Sequence, residues 1–301
     1  NIDSNIALAT NGDGIQVNAG ENADVTNNLV FLTGDNGINV NNNTGNVNIA
    51  DNTISLTLGD GIEASNNADG MIITNNSVIL AGDDGIDVQS SRNARIDDNT
   101  IENVGANGIE ITDNSRRTRA RNNTISNTGE NGIYVENSNR VRTNDNIIDN
   151  VSESGIYFDG VNAGRANRNA ISNSGENGIL INNSSNNVRV EENVITGSLV
   201  SGIEVNNVDG INILQNNISD NGVFGLLVSG PSNGDVTLVG NTFTDNPTGA
   251  RFESGNIDIS DLTDPNIFTN TDPLGTPVGL QFDEVGIPGS LTIAGNTLGA
   301  T

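Results

Sequence analysis

The chain contains no cysteine, no histidine, no tryptophan and no lysine, so all 12 of its basic residues are arginine. Without cysteine there is no disulfide framework and no thiolate metal site. Without histidine, the usual general base near neutral pH is missing. Aromatic residues make up only 3% of the chain. No apolar run approaches the roughly 18 residues of a membrane-spanning helix, which argues against membrane insertion. Positive charge is scarce: 38 acids against 12 bases leave a net charge of −26. Such a chain repels nucleic acid and anionic membranes. Its plausible partners are cations, neutral surfaces, or local basic patches meeting acidic ones. The sequence starts at Asn1 with neither an initiator Met nor a signal peptide. It therefore reads as a mature or excised segment, its signal peptide already removed, and an extracellular or cell-surface location is expected.

What is present is regular. Ile and Val recur at fixed places, and asparagine is abundant, at about 55 residues. A glycine preceding an apolar residue returns at 14, 37, 61, 85, 108, 132, 155, 178, 202, 225, 249 and 279, in steps of 23 or 24 until the last. The first and third residues after it are apolar, as in Ile38/Val40, Ile86/Val88 and Ile109/Ile111, and the second and fourth are mostly polar. This period of two marks a strand with one buried face. A second anchor is the asparagine at 5, 28, 52, 76, 99, 123, 146, 169, 193, 216, 241, 266 and 296, which precedes a short "TI", "SV" or "TF" strand. A third strand lies just upstream of it, as in Val47/Ile49 and Val188/Val190. Each repeat thus holds three short strands and three turns, with no helical period. The pattern alone also fits an antiparallel meander, but identical strands recurring at one step stack best as parallel ladders, each coil resting on the last.

The line "GIxV…VxIxxNTI" resembles the repeat of the pectate-lyase-like superfamily. That resemblance implies an all-β fold: a right-handed parallel β-helix, here of about twelve coils with three strands each. It also implies that the recurrent asparagines form an internal ladder in a two-residue bend, their amides bonding from coil to coil. Residues 1–254 are expected to be regular coils, and 255–301, where the turns lengthen and most of the proline lies, irregular coils of the same solenoid.

The stretch "GDDGI" at residues 82–86 invites a catalytic reading, because the polygalacturonase branch of the superfamily carries a "GDD" motif. That branch also needs "NTD", "GHG" and "RIK", and a chain without His or Lys lacks the last two. "GDGI" at 12–15 and 59–62 and "GDNGI" at 34–38 repeat the same turn. No residue is therefore assigned as catalytic on sequence alone. Asp13, Asp35, Asp60, Asp83 and Asp84 fall within a residue of each other in successive coils and could supply oxygens to Ca²⁺, the one cofactor considered. The plainer expectation is solvated turn acids.

Several columns are not required by the fold. Arg95, Arg119, Arg142, Arg165 and Arg189 stand four residues before the asparagine anchor in five consecutive coils, where other coils have Asp24, Asn48, Ile72, Asn212 or Thr237. Either nearby acids neutralise this stripe, or it binds anions: an acidic polysaccharide, or the acidic flank of another copy. Glu130, Glu153 and Glu176 form such a flank two residues before the glycine. Two residues after the glycine, the outward column runs Glu63, Asp87, Glu110, Tyr134, Tyr157, Leu180 and Glu204, so that Tyr134 and Tyr157 suggest a glycan platform. The superfamily's polysaccharide enzymes place their sites on this sheet. Uniform coils lead to a first expectation of a non-catalytic surface protein, a filament, sheath or adhesin-type rod, associating with copies of itself head-to-tail and laterally. The alternative is a polysaccharide lyase, hydrolase or epimerase domain acting on an acidic glycan along the "GIxV" sheet; as a partner, an acidic or neutral polysaccharide is considered. A passive carbohydrate-binding module ranks third.

Overall fold

A computed structural model describes residues 1–67, 69–230, 234–259, 263–270, 278–283, 291–293 and 297–300. The expected ladder residue Asn296 lies outside them. The chain forms two compact units, Asn1–Ser152 and Glu153–Thr301. Both repeat one coil of three strands.

In the N-terminal unit, one sheet stacks Ile2–Asp3, Ala23–Thr26, Val47–Ala50, Ile72–Thr74, Arg95–Asp97, Arg119–Arg121 and Arg142–Asn144 in that order. A second stacks Ile6–Thr10, Leu29–Thr33, Thr53–Thr57, Ser77–Ala81, Thr100–Val104, Thr124–Thr128 and Ile147–Val151. The third, built from the segments after the glycines, stacks Ile15–Asn18, Ile38–Asn41, Ile62–Ser65, Ile86–Gln89, Ile109–Thr112 and Ile133–Glu136. Every pairing is parallel and displaced by one repeat, as in Ile38↔Ile62 and Val40↔Ala64. The C-terminal unit follows the same plan. Its third sheet runs Ile156–Asp159, Ile179–Asn182, Ser201–Asn206, Phe224–Ser229, Thr248–Phe252 and Val278–Phe282. The fold is a right-handed parallel β-solenoid of about 11 turns, close to the twelve expected.

The apolar residues of each strand point inward and stack on their equivalents. Ile38, Ile62, Ile86, Ile109 and Ile133 are wholly buried, as are Ile54, Val78, Ile101 and Ile125. Each such side chain contributes about 1.5–3 kcal/mol by leaving water. In the C-terminal unit the rings of Phe243 and Phe268 stack with centroids 4.8 Å apart.

Polar ladders fix the turns. At the bend between first and second sheets, the Asn52 amide donates to Asn76 Oδ1 at 2.9 Å, Asn99 to Asn123 at 3.0 Å, and Asn193 to Asn216 at 2.9 Å. The residue before each, such as Asn75, Asp98 or Asn122, takes a left-handed φ of 54–59°, which Asn and Asp tolerate best among non-glycine residues. The glycine before each third-sheet strand answers a different need. A Cβ on Gly85 would lie 2.4 Å from Ile101 Cγ2 and 2.5 Å from the Gly108 carbonyl of the next coil.

Two further ladders occupy the other turns. Between third and first sheets, Asn43 N–H donates to Asn67 Oδ1, Asn67 N–H to Ser91 Oγ, Ser91 to Ser115 and Ser115 to Ser138, at 3.0–3.1 Å. Between second and third sheets, the residue just before the repeat glycine plays this part, and there the ladder changes character.

Candidate functional site

The ladder leading into the third sheet runs Asp13, Asn36, Asp60, Asp84, Asn107, Asn131. Each side-chain oxygen accepts the N–H of its equivalent one coil on: Asn36 N–H to Asp13 (3.2 Å), Asp60 to Asn36 (2.7 Å), Asp84 to Asp60 (3.0 Å), Asn107 to Asp84 (2.7 Å), Asn131 to Asn107 (3.2 Å). Asparagine fills this role at 36, 107 and 131. Asp60 and Asp84 fill it with carboxyl groups, and Asp84 is only 7% exposed. The expectation of solvated turn acids therefore fails for Asp84, whereas Asp35 and Asp83, one residue earlier in the turn, are exposed.

Three residues beyond this ladder lies the outward column of the third sheet. Its strands place Asn39, Glu63, Asp87, Glu110 and Tyr134 side by side in register. The column points outward but is shielded: Asp87 is 5% and Asn39 8% exposed. Two of these acids are steadied by a ladder amide, Glu110 from its own coil and Glu63 from the coil before. Asn107 Nδ2 donates to Glu110 at 2.9 Å, and Asn36 and Asn39 both donate to Glu63 at 2.7 Å. In the coil between, Asp84 and Asp87 are both acids. Asp87 Oδ2 accepts from Gln89 at 2.9 Å, while its buried Oδ1 has no hydrogen-bond partner.

Five carboxyl groups, Asp60, Glu63, Asp84, Asp87 and Glu110, are thus gathered on one short stretch of sheet. Burial, reinforced by their mutual repulsion, holds them toward the protonated form. Asp60 is pushed up to about 7, Asp87 to about 8 and Asp84 to about 9. Burial raises Glu63 and Glu110 as well. Asp84 and Glu110 share a hydrogen bond that favours a protonated Asp84 donating to a Glu110 carboxylate. Burial also raises Asp13 in the lead-in turn and, in the C-terminal unit, Glu204 on the third sheet.

Of the five aspartates considered for a cation, the structure brings three together: oxygens of Asp60, Asp83 and Asp84 lie within 4.8 Å of one another. Asp13 and Asp35 stand nearer the start of the chain and outside that group. Tyr134 is the next rung after Glu110 on the third sheet. Tyr157, in the C-terminal unit, lies beside Leu180. Glu130 sits in the turn before the glycine of its coil, its N–H bonded to Ala106 O, and Glu176 N–H likewise bonds Glu153 O at 2.9 Å.

The arginine stripe occupies the first sheet. In the N-terminal unit Arg95, Arg119 and Arg142 are consecutive rungs in register. In the C-terminal unit Arg165 pairs with Arg189. Acids neutralise part of the stripe: Arg119 by Asp97, Arg121 by Asp145 at 3.3 Å, Arg189 by Glu191, Arg168 by Glu192 at 3.7 Å.

Sequence comparison matches residues 83–272 to the family model described as periplasmic copper-binding protein (NosD), and residues 1–140 to a right-handed β-helix region. No curated protein matches the chain. Among solved structures, the A-module of a mannuronan C-5 epimerase from Azotobacter vinelandii is similar over 98% of this chain and 84% of its own, at 15% identity and a TM-score of 0.68. An alginate lyase from a Paenibacillus species is similar over 95% and 99%, at 15% identity and 0.60. An α-1,3-glucanase from Streptomyces thermodiastaticus is similar over 95% and 63%, at 12% identity and 0.53. At these identities the likeness concerns the fold. The family description names copper, but the donors here do not suit it. Copper favours imidazole, thiolate and thioether ligands. The chain has no His or Cys, and its single methionine, Met71, is wholly buried in the core. The match to the family model spans well over half of the chain, and the coil, ladders and parallel sheets agree with it: the chain belongs to the NosD family of right-handed β-helix proteins.

Proposed function

We propose that the third sheet of the N-terminal unit is a polysaccharide-processing face that hydrolyses a glycosidic bond with paired carboxyl groups. The observation that carries this is the hydrogen-bonded Asp84–Glu110 pair beside the unpartnered buried oxygen of Asp87. Glycoside hydrolysis needs one carboxyl group held protonated at working pH and a second held ionised. Asp84 supplies the first. In the resting site its proton is donated to Glu110. An incoming glycosidic oxygen takes the place of Glu110 as acceptor, and the C–O bond breaks as that proton is transferred. Glu110, freed from that hydrogen bond as a carboxylate, must swing to about 6.5 Å or more from Asp84, where it takes a proton from the water that adds to the sugar carbon. Tyr134, one rung further, offers an aromatic edge for a sugar ring.

No arginine lies on the third sheet of this unit, and a bare uronate would meet a cluster of carboxyl groups and no cation there. The geometry therefore supports an uncharged glycan over an acidic one. That epimerase, lyase and glucanase folds recur among the structural neighbours supports a polysaccharide-acting reading over a non-catalytic rod. A periplasmic or extracellular site of action accords with the family description, and among the described residues no helix is long and apolar enough to cross a membrane.

A second reading rests on the Asp60, Asp83 and Asp84 oxygens, whose spacing suits a hard divalent cation such as Ca²⁺. A cation there would replace the Asp84 proton and let the face accept an acidic glycan.

The test is release of reducing ends from a panel of neutral glucans and of polyuronates, with chelator or with Ca²⁺. Cleavage of a neutral glycan in chelator, lost about 100-fold or more in Asp84→Asn and Glu110→Gln, is expected. Variants as active as the parent, or no glycan cleaved under any condition, would overturn the hydrolase reading.

A further inference from the structure

The last three strands of the first sheet in the N-terminal unit carry charge that the fold does not need and neutralises only in part. Along them and the turns flanking them stand Arg92, Arg95, Arg116, Arg117, Arg119, Arg121, Arg140 and Arg142, eight cations. The same segments hold four acids, Asp97, Asp98, Asp113 and Asp145, whereas the earlier strands and turns of the sheet hold acids, Asp3, Glu21, Asp24 and Asp69 among them, and no cation. A stretch with an excess of four positive charges thus sits on a chain of net charge −26.

Two separate costs mark this face. The first is repulsion. Arg95, Arg119 and Arg142 are directly opposite one another on neighbouring parallel strands, and like charges so placed oppose strand pairing. Only Arg119 of these three is held by an ion pair, to Asp97. Among the described residues, Arg92, Arg95, Arg117, Arg140 and Arg142 make no ion pair, and all five are exposed.

The second cost is conformational. Ahead of the first-sheet strands from residue 72 onward, the chain takes a left-handed turn two residues before the arginine column. That position is filled by Gly70 (φ 91°), Asn93 (φ 53°) and, in the C-terminal unit, Ala163 (φ 58°), Asn187 (φ 52°) and Gly210 (φ 68°). In two consecutive coils it is filled by Arg117 (φ 59°) and Arg140 (φ 60°). Arginine gains nothing locally in that conformation and crowds its own carbonyl. Strained residues that the local fold does not require point to a role outside the fold.

We propose that this face binds a linear anionic polysaccharide laid across the coils, along the stacking direction. The ladder repeats its charge once per strand, at a spacing of about 4.8 Å. A polymer with an acidic group on each sugar presents anions at a comparable step, so several arginines can engage one chain at once. All eight cations are arginines, whose planar fork suits carboxylate or sulfate groups better than a lysine ammonium does. The face is distinct from the acidic third sheet, so this binding does not depend on the hydrolase reading. It gives the protein a hold on an anionic matrix while the third sheet remains free.

The experiment compares the parent with the variant Arg95→Gln, Arg117→Asn, Arg140→Asn, Arg142→Gln. Polygalacturonate, dextran sulfate and neutral dextran serve as probes in calorimetry at low and at high salt. The parent should bind one or both anionic polymers, more weakly as salt rises, and should not bind dextran; carboxylate and sulfate sources are separated by the first two probes. The variant should lose about tenfold or more in affinity. Its melting temperature should stay level or rise, because Asn is at home in the left-handed turn, and this keeps lost binding distinct from lost folding. Equal binding by parent and variant, binding indifferent to salt, or equal binding to neutral dextran would overturn the proposal. So would an arginine-dependent rise in particle size with protein concentration in glycan-free buffer, unaccompanied by polymer binding, because it would assign the face to a second copy of the chain.

Discussion

Replacing the two ladder aspartates by asparagine should stabilise this protein, and only above acidic pH. At 36, 107 and 131 asparagine already occupies the same rung of the lead-in ladder. The substitution Asp60→Asn, Asp84→Asn keeps an oxygen for the N–H of the next coil, which Asp60 and Asp84 now accept at 3.0 and 2.7 Å. It also adds an amide donor. An amide at 84 would reach Asp87 as Asn107 reaches Glu110, and one at 60 would reach Glu63 as Asn36 reaches it from the neighbouring coil.

The magnitude follows from the protonation of these groups. Their folded values are raised, Asp60 to about 7 and Asp84 to about 9, above an ordinary aspartate near 3.8. A raised acid binds its proton more tightly in the folded state. Its stabilisation is therefore complete below about pH 4 and is lost as pH rises through the folded value. Each pH unit separating the folded from the unfolded value is worth about 1.4 kcal/mol, so Asp60 alone would cost up to about 4 kcal/mol by pH 8. Charge sharing within the cluster, and water reaching it, reduce that, and about 2 kcal/mol is expected for the double variant. For a unit of this size that is about 4–8 °C in melting temperature. Thermal unfolding of both proteins in chelator at pH 5 and at pH 8.5 is the assay. The variant should gain most at pH 8.5 and about a third as much at pH 5, which is only about one pH unit above the unfolded value. Equal stability at both values, or a loss at pH 8.5, would show that the cluster is better solvated than its burial implies.

Two further outcomes follow from the same structure. Asn123→Ala removes an amide that donates to Asn146 Oδ1 at 3.0 Å and to Ile96 O at 2.8 Å, and an oxygen that accepts from Asn99; a loss of about 1–3 kcal/mol in chemical unfolding is expected, and none would remove this rung from the account of coil register. If Asp60, Asp83 and Asp84 take Ca²⁺, the ion must displace the Asp84 proton, so calorimetric affinity should rise from pH 6 to pH 8 and fall in Asp84→Asn; an affinity flat with pH would place the ion elsewhere.

The coil was legible because its physics repeats. Gly85, Ile86 and Val88 solve the same steric problem as Gly108, Ile109 and Ile111, so one reading of glycine, alternating apolar residues and asparagine serves the whole stack. The asparagine ladder was readable for the same reason: thirteen copies of one residue at one phase. The other two ladders were not, because Asn67, Ser91 and Ser115, or Asn36, Asp60 and Asp84, share a hydrogen-bonding role without sharing an identity. The candidate site lay in that blind spot. "GDDGI" looked like one more acidic turn, and Glu63, Asp87 and Glu110 like outward neighbours of the Tyr134 platform. Their conjunction was nevertheless encoded three residues apart, as Asp60/Glu63, Asp84/Asp87 and Asn107/Glu110. What the one-dimensional pattern could not convey was depth: that Asp84 and Asp87 are almost fully shielded, so their charges meet one another before they meet water.

The two departures from the coil's economy have one form. A solenoid sets its own standard at every position, since neighbouring coils show which residue serves the fold there. Where Asn36 and Asn107 serve, Asp60 and Asp84 add buried charge; where Gly70 and Asn93 serve, Arg117 and Arg140 add strain. Both departures fall in neighbouring coils of the N-terminal unit, on different faces and with opposite sign. Left-handed residues other than Gly, Asn and Asp recur elsewhere, as at Leu32, Leu56, Leu80, Ala163 and Glu192, so strain alone does not mark a site. The coincidence of strain with like charges aligned in adjacent rungs is what a surface selected for ligands produces. It separates this stretch from the C-terminal unit, where Arg168 and Arg189 are answered by Glu192 and Glu191. A glycan held by its anionic groups on the arginine face and a carboxyl pair presented on another face of the same coils would let one short stretch of solenoid combine anchorage with chemistry.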